Sequence, residues 1–316
     1  MNKIRTAVIG VGYLGQFHAE KYAGLPNVEL VGVVDPDRSR AEQIAQKLAT
    51  HFFTDASQLL GKVDAVSIVA PTVLHHGLAK QFLEAGVHVL LEKPVTVTLE
   101  QADELISLAE RKRVILQVGH IERFNPAITV IKPLLKAPRY VQAERSAPFT
   151  VRCTDVNVVL DLMIHDLDIV ADVAGSKPNK VSAVGTSVIT REIDSVIARI
   201  VFENGCIADV AASRVSDEKK RVIRIFDGDT LYTADYQSQK AFVSRRGAGT
   251  VPELVTSEIP SERRDTLLDE IRSFIDCIAN RKPPLVGGIE GRNALALARL
   301  ITGCIEQGTT DFVPFS

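Results

Sequence analysis

The chain has 316 residues and a formal net charge of −2, with 37 Lys and Arg against 39 Asp and Glu. That balance offers no basis for binding nucleic acid or an acidic membrane surface. No apolar run reaches the ~20 residues of a membrane helix, and the N-terminus enters a strand pattern without a signal-peptide shape. Cys153, Cys206, Cys277 and Cys304 are scattered and form no CxxC pair, which suits reduced thiols in a cytoplasmic protein and argues against a zinc ribbon.

The first 120 residues alternate strand and helix patterns. Ile4–Ile9 predicts a buried strand, followed at once by Gly10-Val11-Gly12-Tyr13-Leu14-Gly15 and a helix over 15–23. A second strand over 28–34 ends at Asp35. This order is a dinucleotide fingerprint: glycines for a tight turn and close approach to a pyrophosphate, an acidic residue for the ribose hydroxyls. A helix over 38–49, a short strand at 51–53, strands at 63–69, 87–91 and 114–118, and helices at 73–85 and 99–112 complete the pattern. The fold class is therefore α/β, opening with a doubly wound parallel sheet over residues 1–120. Past Gly119 the pattern changes. Helices are expected at 125–135, 157–175, 266–280 and 289–307. Alternating runs at 137–145, 181–190, 195–202, 206–213, 220–226 and 230–235 predict a mostly antiparallel sheet. Residues 121–316 form a second α/β domain on this reading.

Cofactor contacts are expected from Gly10, Gly12, Tyr13, Leu14, Gly15, Asp35 and Arg38. Later strand ends add Ala70, Pro71, Thr72 and His75, then Glu92 and Lys93. Asp35 would repel a 2′-phosphate, favouring NAD over NADP, although Arg38 and Arg40 soften that preference. Lys93 would emerge at the crevice mouth, where an ammonium can hold a substrate hydroxyl; otherwise it is an ordinary solvated lysine. Pro94 fixes the backbone after it, with room for an unusual peptide geometry. In the second half, Asp161, His165 and Asp168 stand at i, i+4 and i+7 and would share a helix face. A carboxylate one turn from an imidazole can orient a general base. No third ligand of clear spacing stands nearby, so no metal is expected. At the junction, Arg123 and Asn125 can reach substrate, while Asn125-Pro126 equally makes a helix start.

Together these residues resemble the glucose–fructose oxidoreductase/inositol dehydrogenase (Gfo/Idh/MocA) family. The resemblance rests on GxGxxG with His18, Asp35-Pro36-Asp37, Pro71-Thr72 with His75, Glu92-Lys93-Pro94, Asp161-x-x-x-His165 and Gly291-Arg292-Asn293-Ala294. It implies an NAD(P)-dependent dehydrogenase acting on a ring hydroxyl, with an open-faced sheet that builds homodimers or homotetramers. It gives Lys93 and His165 as the catalytic pair, with Asp161 placing substrate. Many members carry glycine where this chain has Met163, a side chain expected to narrow the sugar pocket. The segments 161–166 and 122–126 are most similar to the branch oxidising C3 of UDP-N-acetylglucosamine. Arg123, Arg145, Arg152, Arg245 and Arg246 are candidates for its diphosphate. A polyol or free-sugar dehydrogenase is the alternative, and a silent dinucleotide sensor would not need Lys93 with Asp161 and His165.

Overall fold

The structure is a computed structural model in which residues 3–150 and 156–315 are described. The chain begins with β1 (Ile4–Ile9), α1 (Gly15–Ala23), β2 (Val28–Val34), α2 (Arg38–Leu48) and β3 (His51–Phe53). It continues through β4 (Ala65–Ile68), α3 (Thr72–Glu84), β5 (His88–Glu92), α4 (Leu99–Lys112) and β6 (Leu116–Gly119). These six strands pair in parallel in the order β3-β2-β1-β4-β5-β6. The Val/Ile/Leu runs of the central strands are buried on both faces, as crossover helices require.

Next come α5 (Pro126–Ile131), β7 (Pro138–Ser146) and α6 (Ile164–Ala174). The strands β8 (Pro178–Thr186), β9 (Ser195–Phe202), β10 (Ile207–Ser213), β11 (Lys220–Asp227) and β12 (Thr230–Asp235) follow. Then come β13 (Lys240–Arg246), β14 (Leu254–Ile259), α7 (Thr266–Asn280), α8 (Gly288–Glu306) and β15 (Val313–Pro314). A nine-stranded sheet runs β14-β13-β12-β11-β7-β10-β9-β8-β15, and within it β7 and β10 are parallel while the other pairs are antiparallel. The fold is thus α/β with a parallel sheet and a mostly antiparallel one.

Two expected helices differ in form. The segment at 125–135 is α5 followed by a 3₁₀ turn over Lys132–Leu134, because Pro133 has no N–H to continue an α ladder. The segment at 157–175 opens with a π-helical turn, Val159–Met163, before α6. Asn157 anchors that turn, accepting from the Leu160 N–H at 3.0 Å through its side chain and from the Asp161 N–H at 3.1 Å through its carbonyl.

The chain divides into two compact units, residues 1–121 with 265–292 and residues 122–264 with 293–316. The segment 265–292, in the second half by sequence, packs with the first. The reason is α7: Leu267, Ile271, Phe274 and Ile275 fall at helical spacing and join Ala19, Tyr22, Val33 and Leu90 in one core. In the second unit Leu167, Val170 and Val173 of α6 pack on the inward residues of β7, β9 and β10.

At the first glycine turn packing is tightest. Gly10 has φ of +84°, and a Cβ there would stand 2.5 Å from the Val69 carbonyl oxygen. A Cβ on Gly15 would stand 1.8 Å from the carbonyl oxygen of Gly10, so α1 can start here only on glycine. Gly15→Ala should therefore cost at least about 3 kcal/mol, read as a lowered melting temperature or failure to fold.

One residue on α7 is out of keeping with its surroundings. Glu270 is fully buried, and its carboxyl oxygens meet no hydrogen-bond partner among the described residues. Burial, with the charge of Glu92, pushes its pKa well above the ordinary carboxylate range. The folded state therefore holds this proton more tightly than the unfolded chain does. The associated stability is fully present below about pH 4.5 and is lost as pH rises toward the folded value. Glu270→Gln cannot ionise, so its melting temperature should gain on the wild type from about pH 5 to about pH 8. A constant difference across that range would show an unshifted carboxyl.

Candidate active site

In the first unit a cleft of about 660 Å³ opens at the C-terminal edge of the parallel sheet, lined by Gly10, Gly12, Asp35, Arg40, Ala70 and Pro71 among others. Gly12 tests whether a dinucleotide belongs there. A Cβ at this position would meet nothing within 4 Å, so nothing in the chain's own packing demands glycine. A ligand backbone passing close to residue 12 does demand it, and the turn ahead of α1 is where a pyrophosphate sits.

Asp35 ends β2 as expected, but its carboxylate is nearly covered. It accepts from the N–H groups of Val11 and Asp37, each at 3.0 Å, and from Arg40 at 3.2 and 3.3 Å. These bonds fix the carboxylate against the glycine turn. Arg40 lines the cleft, whereas Arg38 lies over the Phe52 ring at 5.2 Å. Tyr13 and Leu14 are exposed, with Tyr13 edge-on to Phe17. Thr54 and Asp55, just past β3, also line this cleft. Sequence reading passed over them, although their place after a parallel strand was the available signal.

Lys93 follows β5 and is half-buried, and the Lys93–Pro94 peptide is cis. The segment is tied down on both sides. His75 is buried, and its ring nitrogens contact the Pro94 and Ala70 carbonyls at 2.9 and 2.8 Å, joining two strand-end loops. Burial pushes the His75 pKa down, partly offset by those carbonyls. Glu92 lies 3.2 Å from His18, whose other nitrogen meets Ser67 at 3.3 Å, with the Tyr22 hydroxyl 2.8 Å from the same serine. Burial alone would raise the Glu92 carboxyl, but His18 and Lys93 hold it below its ordinary value. His75 and Glu92, expected at the cofactor, also have these internal partners.

In the second unit the π-turn carries Asp161, and His165 lies in the first turn of α6; both are half-buried. Asp168 does not share their surface. It is buried and clamped by Arg123 at 2.6 and 3.2 Å, and Arg123 also reaches Asp172 at 2.5 Å. Arg145 is buried too, donating twice to Asp166 at 2.7 and 3.0 Å and once to Glu122 at 3.0 Å. Burial works against the Arg145 charge, yet Asp166 and Glu122 raise its pKa overall. Across the strand pair stands Arg221, opposite Arg145, whose pKa is lowered by burial and by that neighbour.

These partners change the expectations for substrate contacts. Arg123 and Arg145, candidates for a diphosphate, are 7% and 2% exposed and spend their donors on internal carboxylates. Asn125 is the N-cap of α5, and its amide donates to Glu122 and to the Tyr236 carbonyl. Met163, expected to narrow the pocket, is fully buried in the unit's core, because the π-turn directs it inward. Arg245 is bonded to Thr230, and Arg152 lies outside the described residues. No group of three or more metal-ligating side chains occurs among the described residues.

Comparison with known proteins identifies the family. Residues 4–120 match the GFO_IDH_MocA oxidoreductase family with its NAD-binding Rossmann fold, and residues 138–229 match the GFO/IDH/MocA C-terminal domain. The chain is 42% identical to the UDP-N-acetylglucosamine 3-dehydrogenase of Acidithiobacillus ferrooxidans, over 97% of this chain and 98% of that one. A solved structure of that enzyme superposes with a TM-score of 0.93 at 41% identity, covering 97% of this chain and 99% of the other. The scyllo-inositol 2-dehydrogenase (NAD(+)) of Bacillus subtilis is 28% identical over 97% of this chain and 95% of its own length. With a dinucleotide cleft in one unit and both family regions matched, the chain belongs to the GFO/IDH/MocA family of NAD-binding oxidoreductases.

Proposed function

We propose that this chain oxidises C3 of a UDP-N-acetylhexosamine, with NAD as hydride acceptor. The observation that carries the reading is 42% identity with a UDP-N-acetylglucosamine 3-dehydrogenase along nearly the whole of both chains. The looser likeness to an inositol dehydrogenase makes a polyol the second reading.

When bound, the nicotinamide supplies the C4 that takes the hydride; the protein aligns groups and handles the proton. Gly10, Gly12 and the start of α1 hold the pyrophosphate, and Asp35 faces the adenosine ribose. Lys93 holds the reacting hydroxyl oxygen and stabilises its growing negative charge. His165 takes the hydroxyl proton, and Asp161 positions the sugar or the imidazole. Asp161 lies near Arg221, and its charge favours the guanidinium there.

The protein works as a cytoplasmic homo-oligomer on this reading. Val184 and Ile197 are 57% and 58% exposed on the open face of the large sheet, apolar surface that a second copy would cover. Cys206, Cys277 and Cys304 are free and buried, as in a reducing compartment.

The decisive assay is NADH formation with NAD and a panel of UDP-sugars and polyols. A signal confined to inositols would overturn the proposed substrate. Lys93→Ala and His165→Ala should each lower kcat by about 10²–10⁴, with NADH binding by fluorescence titration unchanged. Wild-type turnover in both would remove them from catalysis. Gly12→Ala should raise the KM for NAD about tenfold or more, a loss of ~1.4 kcal/mol, and leave the melting temperature within a degree or so. An unchanged KM would take the pyrophosphate away from this turn.

A further inference from the structure

The Arg145–Asp166 pair raises a question of energetics. Two charges taken wholly out of water gain little net stability, and well-packed apolar residues of similar size often do as well or better. Arg145 is nonetheless 2% exposed and Asp166 is fully buried, joined by a two-pronged bond at 2.7 and 3.0 Å. The third guanidinium bond goes to Glu122 at 3.0 Å, which in turn accepts from Asn125, the N-cap of α5. The ring of Tyr236 lies 5.4 Å from the same guanidinium. Hence the carboxylate of Asp166 is bound from one fixed direction.

Its place on the helix gives that direction a consequence. Asp166 belongs to the first α-turn after the π-turn Val159–Met163, one residue beyond His165. A π-to-α junction can shift register or rotate, since its backbone bonds change span there. Successive residues of an α-helix are turned about 100° apart. Fixing the inward carboxylate of Asp166 therefore fixes the outward direction of His165. Arg123 repeats the device one turn on, gripping Asp168 and Asp172.

We propose that Arg145 and Asp166 are positioning residues for His165, locking the rotation of the first turn of α6 so that the imidazole meets the substrate hydroxyl. The inference rests on the reading of His165 as the base. The ionisable groups around the pair are Glu122, Arg221, Tyr236 and Asp161.

Two variants of the full-length protein test it. Glu122→Gln, Arg145→Met and Asp166→Leu in one chain removes the charges together and leaves Arg221 with Asp161 as its carboxylate neighbour. It should melt at or above the wild-type temperature, with kcat down about 10–10²-fold and the KM for NAD within about twofold. Arg145→Lys keeps the charge but loses the planar fork. It should lower kcat about tenfold without moving the pH profile, since the field at His165 is preserved. A folded triple variant, or a folded Arg145→Lys, with wild-type kcat overturns the proposal. If the triple variant does not fold, Arg145→Lys alone decides. Activity retained in His165→Ala overturns instead the reading on which this inference rests.

Discussion

A backbone oxygen governs the first unit. The carbonyl of Gly10 occupies the space that any side chain on residue 15 would need. Only with glycine at both places can β1 turn directly into α1, and only then does the helix N-terminus stand over the strand end. The Asp35 carboxylate locks the same turn from the other side, accepting the Val11 N–H. Two strand ends and a helix are thereby brought to one cleft without a long loop. His75 does equivalent work further along, joining the loops after β4 and β5 and so setting the backbone at Lys93. Short polar links tie the loops at the strand ends together, above the apolar layer of the sheet.

The second unit is organised by a different constraint. Its core is apolar, but the first turns of α6 are held by guanidinium–carboxylate bonds in a buried setting. Apolar packing specifies orientation less strictly, because a core that keeps its volume and pattern loses uniqueness before it loses stability. A two-pronged Arg–carboxylate bond is not tolerant, since both N–H groups and both oxygens must stay in plane. The charges therefore supply direction where the core supplies cohesion. Breaking one partner alone leaves an unpaired buried charge and costs ~3–5 kcal/mol. For that reason Arg123 and Arg145 are poor places to look for a substrate anion.

Most of the parallel sheet was legible in the sequence because each strand is a short apolar run closed by a turn or a helix start. The hairpins were legible too, since β9 and β10 alternate strictly between inward and outward residues. The edge strand β14 escaped notice for a physical reason: five of its six residues are exposed, so no alternation marks it. β13, its neighbour, keeps only Ala241 and Ser244 buried and reads as loop. Placement of α7 with the first unit was equally hidden, because an amphipathic face states that it will be buried and not against what.

The site was legible at the level of residue type and less so at the level of role. His75, Glu92, Arg123 and Asn125 all stood in segments that carry chemistry, and all proved to be tied to partners far away in sequence, such as Pro94 for His75 and Asp168 for Arg123. Periodicity placed Asp161, His165 and Asp168 on one face, but the π-turn breaks the 3.6-residue repeat between the first and the others. The extra residue per turn carries Met163 into the core and leaves Asp168 to Arg123. A single irregular turn thus divides one sequence motif into two groups, a half-buried pair, Asp161 and His165, and a buried pair, Asp166 and Asp168, held by Arg145 and Arg123.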